Sequence, residues 1–506
     1  MLVTIISIRD FSHILCQPIL RTSLFMFGVR HVVLVIGALF FSHIHLKGQD
    51  HPYVHPNERV SLDTNSTGAK VKPKSLQDFL RSGNFFGHAR WYSMVTNNAS
   101  NYSDYFANAI GVGIGYETGV YRNFQLGISG YAIYDVYSSD LTKIDQLSNQ
   151  PNRYEVGLFD VLNPGNHDDL DRLEDLYIKY SLPSKSWMIK AGKQHIRTPF
   201  LNPQDGRMRP TLVQGVLAEK KLGKNGLLQL GAIDRISPRS TVRWFSVGHS
   251  VGLYGVGVNP DGSRSQYAGN LPHSSVLYAG YSVKTNRGNL MLWSQTVYNM
   301  FQTYLTQWDG KIGSKNRAWI YGIQGIHQHS LGNGGNVEIN KAYFQPQNRS
   351  FVFGVRLGKQ INQNQRITLN GTRITGHGRY LMPREWGRDP FYTFMPRERN
   401  EGYGDVWAMN VLYSYGFTEM PLKIDVGIGR YKLPNIYNFE LNKYGFPAYY
   451  QANLDVRYSM EDFFKGLEIQ FLIVLKQAIE QQGYLPKFEI NKVNLTHYNL
   501  ILNYHF

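Results

Sequence analysis

The chain has 506 residues, a formal net charge of +16 and one cysteine, and only 18% of its residues are charged. Aromatic residues make up 14%, including 34 tyrosines, and there are 49 glycines. This composition is unusual for a soluble α/β enzyme and typical of a β-structure with aromatic girdles. Beyond the N-terminal region no apolar run is long enough for a membrane helix, which excludes a bundle of such helices.

The N-terminal residues have the pattern of an export signal. Arg30 and His31 precede the apolar run 32–41, which is too short to span a membrane comfortably. We predict that residues 1–49 are an N-terminal extension with a signal peptide, and that residues 50–82 are a periplasmic segment that includes a short helical turn. Cys16 belongs to the part that would be removed, so the mature chain would offer no thiol site.

From Asn84 onward the chain divides into segments of about ten residues, in several of which apolar and polar side chains alternate. Short turns and long loops connect these segments in turn, and counting the segments predicts about eighteen strands. We therefore predict an all-β fold: a transmembrane antiparallel β-barrel over residues 83–506, with short periplasmic turns and long extracellular loops, in the bacterial outer membrane. A soluble β-sandwich or propeller would explain the strands but not the two-sided asymmetry of the loops.

The loop 197–211 connects two predicted strands and contains Pro199, Pro203 and Pro210. Three prolines forbid a regular ladder or helix, and the loop is longer than the two to five residues of an ordinary hairpin. We predict that it folds into the mouth of the barrel and narrows it. Its charged residues are the predicted pore constriction: Arg197, Asp205, Arg207 and Arg209.

If the apolar side of each strand faces lipid, the opposite side lines the lumen. A charge on the lipid face costs about 2–4 kcal/mol near the bilayer centre, so basic residues collect inside by default. As a group they would attract a carboxylate and pass it along the channel. The assignment of Arg235 assumes that no bulge interrupts its strand. The predicted basic lumen comprises Arg90, Lys179, Lys190, Arg235, Arg356, Arg366, Arg457 and Lys476.

These residues predict a passive diffusion channel for small carboxylate-bearing or zwitterionic solutes, with selectivity from pore width and electrostatics. One alternative is a channel for neutral or amino-sugar oligosaccharides that slide along inward aromatics: Tyr92, Tyr177, Tyr278 and Tyr431. Another is a closed, surface-binding barrel. The positive charge could also indicate nucleic-acid binding, but the sequence has no known nucleic-acid motif and the export signal argues against it.

A second long loop, 375–402, carries five arginines, four acidic residues and several aromatics. Two interpretations remain open. The loop could form an ordered lid or a second wall of the constriction, or it could be a solvated outer loop that binds lipopolysaccharide phosphates.

Two features of the sequence are typical of a catalytic site or a metal site, but neither is sufficient to predict one. Gly248 to Gly252 matches the G-x-S-x-G nucleophile elbow, but no helical pattern follows, as that elbow requires. His327 and His329 share a strand face and could hold a metal. Ca²⁺ or a basic neighbouring loop could neutralise an acidic cluster at 168–175. We predict no enzyme activity, no catalytic residues, no metal and no cofactor.

Three blocks carry a resemblance: SLQDFLRSGNFFGHARWYSM at 75–94, KAGKQHIRTPFLNPQDGRMRPTLVQG at 190–215, and LGAIDRISPRST at 230–241. The sequence resembles the OprD-type family of substrate-selective outer-membrane porins. The resemblance implies an eighteen-stranded monomeric channel whose third outer loop constricts the pore, with Asp205, Arg207 and Arg209 in that loop. It also implies small-molecule solutes, including carboxylates, as cargo, and outer-membrane lipid and lipopolysaccharide as surroundings.

Overall fold

The computed structural model describes residues 73, 75–183, 186–203, 207–314, 316–460, 464–480 and 483–506. The predicted signal peptide at 1–49, most of the segment 50–82 and the predicted constriction residue Asp205 lie outside these residues. Within the described ranges, no helix is long and apolar enough to cross a membrane.

Eighteen strands of nine or more residues form the wall. In chain order they are β1 Asn84–Asn97, β2 Tyr105–Glu117, β3 Phe124–Ser138, β4 Leu170–Ser181, β5 Trp187–His195, β6 Leu212–Leu222, β7 Gly226–Ser237, β8 Val276–Thr285, β9 Gly288–Val297, β10 Phe301–Gly313, β11 Ala318–Ser330, β12 Arg349–Gln360, β13 Gln365–Ile374, β14 Val406–Gly416, β15 Leu422–Lys432, β16 Tyr449–Met460, β17 Leu467–Ala478 and β18 Leu495–His505. A two-residue strand, Phe245–Ser246, pairs with the end of β7.

In the part of the chain that the structure describes, helical structure is confined to the ends and loops of the barrel. One α-helix, α1 Leu76–Arg81, begins at Ser75, whose side chain accepts a hydrogen bond from the backbone N–H of Asp78 at 3.1 Å. Four short 3₁₀ turns lie in the loops, at Glu155–Leu158, Gly248–Ser250, Ile339–Lys341 and Pro486–Phe488.

The wall closes on itself. Each of the eighteen strands pairs antiparallel with the next along the chain, and β18 pairs with β1 in a register that places Tyr504 opposite Ala89 and Leu502 opposite Trp91. Closure leaves the wall without an open edge, which a membrane requires because lipid cannot satisfy backbone N–H and C=O groups. The prediction of an antiparallel barrel of about eighteen strands is confirmed.

The connections alternate as predicted. One rim carries the short turns, 118–123, 182–186, 223–225, 286–287, 314–317, 361–364, 417–421 and 461–466. The other rim carries the remaining connections, which are long except at 298–300: 98–104, 139–169, 196–211, 238–275, 298–300, 331–348, 375–405, 433–448 and 479–494. We call these the short-turn rim and the long-loop rim; odd-numbered strands begin at the short-turn rim.

The outward face of the wall is apolar and exposed. On β12, Phe353, Val355 and Leu357 are each more than half exposed, whereas the intervening Gly354 and Arg356 face the lumen. An apolar outer row is stable only against an apolar solvent, so this pattern is that of a lipid-facing surface.

The core of the molecule lies inside the barrel and consists mainly of loops. A continuous cluster of buried apolar side chains joins the inner wall to the long loops, with Phe200, Leu271, Phe344, Trp386 and Phe446 contributed by five different connections. We call this cluster the loop core. Trp386 is fully buried and donates its indole N–H to Ser250 Oγ at 2.8 Å. Burial of such side chains, at about 25 cal/mol per Å², draws the long loops inward.

Candidate functional site

We call residues 196–211 the constriction loop, and its described residues, 196–203 and 207–211, lie inside the barrel. Phe200 and Leu201 belong to the loop core, and the Thr198 hydroxyl accepts a hydrogen bond from the backbone N–H of Leu201 at 2.8 Å. Asn202 joins this loop to the loop 375–405, because its side chain donates to Arg388 O at 3.2 Å and accepts from Arg388 N at 3.1 Å. The described part of the constriction loop is therefore fixed at Asn202 and does not lie on the outer rim.

Arg209 holds the end of the constriction loop against the wall. Its Nε donates to Glu174 Oε1 at 2.6 Å, and its Nη2 makes a second bond to Glu174 Oε2. Its guanidinium also lies 4.0 Å from the Tyr131 ring and 3.0 Å from His88 Nδ1. Burial lowers the pKa of Arg209 to about 9, so it stays charged at neutral pH.

Arg207 is also an anchor rather than a free charge. Its carbonyl oxygen accepts a hydrogen bond from Arg90 Nη1, which links the loop to β1. Its side chain is 8% exposed and packs against Gly157, in the loop that follows β3. Arg197 lies half-buried at the beginning of the same loop. Arg207 and Arg209 thus lie close together near β1 and β4, where both contact other residues of the protein and are mostly buried.

Seven of the eight predicted wall cations face inward, and four of these pair with acids. Lys179 lies 3.3 Å from Glu117, Arg356 3.9 Å from Asp309, Arg457 2.7 Å from Asp455 and Lys476 3.2 Å from Glu398. A carboxylate this close cancels most of the field that a passing anion would experience. These four cations therefore contribute to the order of the wall more than to the charge of the lumen.

Three inward cations keep their charge available. Arg90, Lys190 and Arg366 have no carboxylate within 4.0 Å among the residues that the structure describes. Arg90 Nε donates to Asn503 Oδ1 at 2.6 Å, and Lys190 Nζ lies 3.5 Å above the Tyr177 ring. Arg366 is exposed and pairs across the strands with Gln360.

The eighth cation, Arg235, does not face the lumen. The register of β6 and β7 pairs Gln214 with Arg235 but Gly215 with Ile233, which leaves Asp234 as the extra residue of a β-bulge. A bulge shifts the alternation by one residue. Ile233 and Ile236 are consequently buried, and Arg235 is exposed on the outer face. The prediction for Arg235 assumed an uninterrupted strand and is wrong for this reason.

The loop 375–405, which we call the crossing loop, forms a second inner wall. Tyr392 Oη donates to Asp309 of β10 at 2.8 Å, Gln451 of β16 donates to Pro396 O at 2.8 Å, and Arg397 donates to Asn499 of β18 at 2.7 Å. The loop therefore contacts inward side chains from β10 round to β18. Its five arginines are mostly buried, so the interpretation as a solvated outer loop is wrong.

Glu398 organises the crossing loop. Its carboxylate lies 3.2 Å from Lys476, 3.2 Å from Arg153 and 3.6 Å from Arg384. Burial alone would raise the pKa of Glu398, but these three cations outweigh burial and lower it to about 2. One carboxylate thus joins β17, the loop after β3 and the crossing loop itself.

The alternation that predicts the inward cations also predicts inward Glu117 and Asp455, which pair with Lys179 and Arg457, but it does not identify Glu174 or Glu398 as partners of cations. Glu174 is the extra residue of a second bulge, opposite Ser129 and Gly130, so no strict alternation could have placed it inward. Glu398 lies in a loop, where no periodicity exists. Two signals are present in the sequence: the mixed charges of the loop 375–402, and the acidic cluster at 168–175 that a basic neighbouring loop could neutralise. Neither identifies the individual partners.

The other predicted features have structural roles. Tyr92, Tyr278 and Tyr431 are buried, and Tyr177 donates to Glu117 at 2.7 Å, so these four rings form no exposed stacking row. Ser250 is fully buried and donates to Val247 O at 2.7 Å, with extended backbone rather than a helix after it. The described residues contain no group of three or more His, Cys, Asp or Glu side chains that could hold a metal.

Comparison with known proteins finds a likeness of fold. No protein-family model and no curated protein matches the sequence. Three Pseudomonas aeruginosa structures each match 85% of this chain, and the match covers 99% of each of their own chains: OccK9 (OpdG), OpdK with vanillate, and OccK2 (OpdF) in complex with glucuronate. Their sequence identities to this chain are 13%, 13% and 12%, respectively. Their TM-scores are 0.65, 0.62 and 0.61 in the same order. The predicted resemblance is confirmed at the level of the fold: the chain has the eighteen-stranded barrel of the OprD-type porins.

Proposed function

We propose that this protein is an OprD-type porin of the bacterial outer membrane. It acts as a passive diffusion channel for small carboxylate-bearing or zwitterionic solutes and performs no chemistry on them. The constriction loop and the crossing loop narrow the channel, and the inward cations that lack acid partners attract the solute. The wall closes within one chain, so no second chain is needed to complete the barrel, and we propose that it works as a monomer.

The observation that carries this proposal is the placement of Arg90, Lys190 and Arg366. Arg366 lies one residue beyond the first residue of β13, Lys190 three beyond the first residue of β5, and Arg90 six beyond the first residue of β1. With a rise of about 3.3 Å per residue, the three lie between roughly 3 and 20 Å from the short-turn rim. The uppermost, Arg90, touches the constriction loop. A carboxylate that passes this loop would therefore meet positive charge as far as the short-turn rim.

The solved structures of similar fold support the solute class. OpdK was solved with vanillate and OccK2 with glucuronate, and both ligands are small carboxylates. A neutral sugar could accept hydrogen bonds from Arg90, Lys190 or Arg366 but would form no ion pair with them. Since the inward tyrosines considered above are buried or bonded to the wall, the oligosaccharide alternative has no surface among them on which to slide.

A closed barrel that binds partners at its surface is the second candidate, and one observation favours it. Nearly every residue from Gly378 to Gly404 is buried, and the long loops share one core inside the wall. If the loops stay packed in this way, the long-loop half admits little solute. Conductance separates the two candidates, because a closed barrel carries almost no current.

Planar-bilayer recordings of the full chain test the proposal. We expect a reversal potential under a KCl gradient that reports anion preference. This potential should shift toward zero in the variant Lys190→Gln/Arg366→Gln, which removes two unneutralised charges. The matched control is Arg457→Gln/Asp455→Asn, which removes an ion pair and leaves the net charge unchanged. Wild-type cation preference would refute the basic lumen, and absence of current would favour the closed barrel.

A further inference from the structure

Because of the bulge, Arg235 lies on the outer face of the barrel and not in the lumen. There it forms a positively charged site together with Lys193. Lys193 pairs with Gln214, and Gln214 with Arg235, so these residues lie side by side across β5, β6 and β7. Adjacent strands are about 4.8 Å apart, so the two cationic positions are separated by about 10 Å. Lys193 and Arg235 each lie two residues from the end of their strands, at the long-loop rim.

The two cations have no acid partner. Among the described residues, no carboxylate lies within 4.0 Å of Lys193 or Arg235. Lys193 Nζ lies 4.5 Å above the ring of Trp244, and the Trp244 indole N–H donates to Leu173 O at 3.1 Å. Asp234 accepts a hydrogen bond from Gln214 Nε2 at 3.4 Å. Trp244 therefore positions the lysine at the level where tryptophan rings normally mark the membrane interface.

The surface below the cations is apolar. Leu176, Val216 and Leu277, on β4, β6 and β8, point outward and are each about half exposed. Leu176 is the cross-strand partner of Lys193. A pair of cations above an apolar wall, with an interfacial tryptophan beside them, matches an amphiphile with an anionic headgroup and acyl chains.

We propose that Lys193 and Arg235 bind a phosphate of lipopolysaccharide in the outer leaflet, while its acyl chains lie against Leu176, Val216 and Leu277. The long-loop rim faces that leaflet if the chain is an outer-membrane porin, so this inference rests on the proposed function. The predicted contact with lipopolysaccharide phosphates thus moves from the loop 375–402, which is buried, to the outer wall. The bound lipid would fix the height of the barrel in the membrane and cover the junction of β5, β6 and β7.

Native mass spectrometry of the full chain in detergent tests this site by titration with lipopolysaccharide. A Lys or Arg near an anionic lipid surface contributes about 1 kcal/mol, so we expect Lys193→Gln/Arg235→Gln to weaken binding by about tenfold or more. The conservative exchange Lys193→Arg/Arg235→Lys should restore it, which separates loss of charge from misfolding. Lipopolysaccharide stripped of its phosphates should bind wild type about as weakly as the intact lipid binds the Gln variant.

A matched control uses the opposite rim. Lys220 and Lys359 also lie over tryptophan rings, each 5.1 Å from the ring centroid, near the short-turn rim. The variant Lys220→Gln/Lys359→Gln removes the same charge and should bind lipopolysaccharide like wild type. Equal binding by wild type and Lys193→Gln/Arg235→Gln, or tight wild-type binding of the phosphate-free lipid, would overturn the site. Because this titration needs no current, it is independent of the conductance that tests the proposed function.

Discussion

The strongest test of the interior architecture is the substitution Glu398→Gln. Gln has almost the same shape and can still accept the backbone N–H of Arg399, which lies 2.9 Å from Glu398 Oε1. It removes the charge that Lys476, Arg153 and Arg384 share. The side chain of Lys476 is 0% exposed, so water cannot replace the lost partner.

The expected magnitude follows from this burial. Removal of one partner from a buried ion pair costs about 3–5 kcal/mol. The loss falls on the crossing loop, so the free energy of its local opening should decrease by at least about 3 kcal/mol, which raises the open population by about 100-fold. Cleavage by trypsin within the crossing loop should accelerate by a similar factor when opening is fast relative to cleavage.

The matched control is Glu338→Gln. Glu338 pairs with Lys341 at 2.8 Å, but its side chain is 64% exposed, so the pair contributes only about 0–1 kcal/mol. We expect its trypsin cleavage in the crossing loop to follow wild type. If Glu398→Gln is cleaved no faster than this control, Glu398 does not hold the crossing loop and the reasoning fails.

The same carboxylate predicts a pH dependence. The pKa of Glu398 is lowered from 4.5 to about 2 in the folded chain, so its contribution to stability is complete above pH 4.5. That contribution is lost as the pH falls from about 4.5 to about 2. An acid-stable protease such as pepsin should therefore cleave wild type increasingly as pH falls through this window, whereas the difference between wild type and Glu398→Gln should shrink. A constant difference across the window would contradict the assignment.

Three further predictions address the loop, the wall and the bulge. Arg209→Met should release the constriction loop from β4 and raise single-channel current noise, because the variant loses both bonds to Glu174; unchanged noise would contradict this. Gly192→Ala should lower the midpoint of thermal unfolding, because Gly192 has φ +123° and an added methyl group would clash with a backbone oxygen. Gly325→Ala should leave the midpoint unchanged, because an added methyl group at Gly325 would lie in open space. A spin label at Arg235 should collide with lipid-soluble oxygen, and one at Arg366 should collide with a water-soluble relaxation agent. The reverse result would show that the bulge does not turn Arg235 outward.

Much of the wall could be predicted without coordinates. A barrel in lipid needs apolar residues at every second position of each strand and short turns on one rim. Both features can be recognised from short stretches of sequence; residues 495–506, for example, show the alternation. The inward placement of Arg90, Lys190 and Arg366 follows from the same alternation, because their strands keep an uninterrupted phase between these residues and the short-turn rim.

Only part of the charge balance of the lumen, such as the pairs Lys179–Glu117 and Arg457–Asp455, could be predicted in this way. A bulge changes the phase of a strand by one residue without a reliable mark in the sequence, and the bulges at Asp234 and Glu174 turned one predicted lumen cation outward and one acid inward. The long loops have no periodicity at all. Their path depends on contacts between residues far apart, such as Glu398 with Arg153 and Lys476.

The sequence by itself determined the barrel, its strand number and the asymmetry of its rims, because these depend on patterns repeated every two and every ten to twenty residues. Only the tertiary structure decided which inward charges are neutralised by acids. Arg207 and Arg209 carry the same charge as Arg90 and Arg366, but burial and contacts within the fold make the first two anchors, whereas the other two lie on the inward face of the wall with no carboxylate within 4.0 Å among the described residues. Two charges pair only if the fold brings them together. In the loops this depends on packing between residues far apart in the sequence, which a local pattern of residues does not predict.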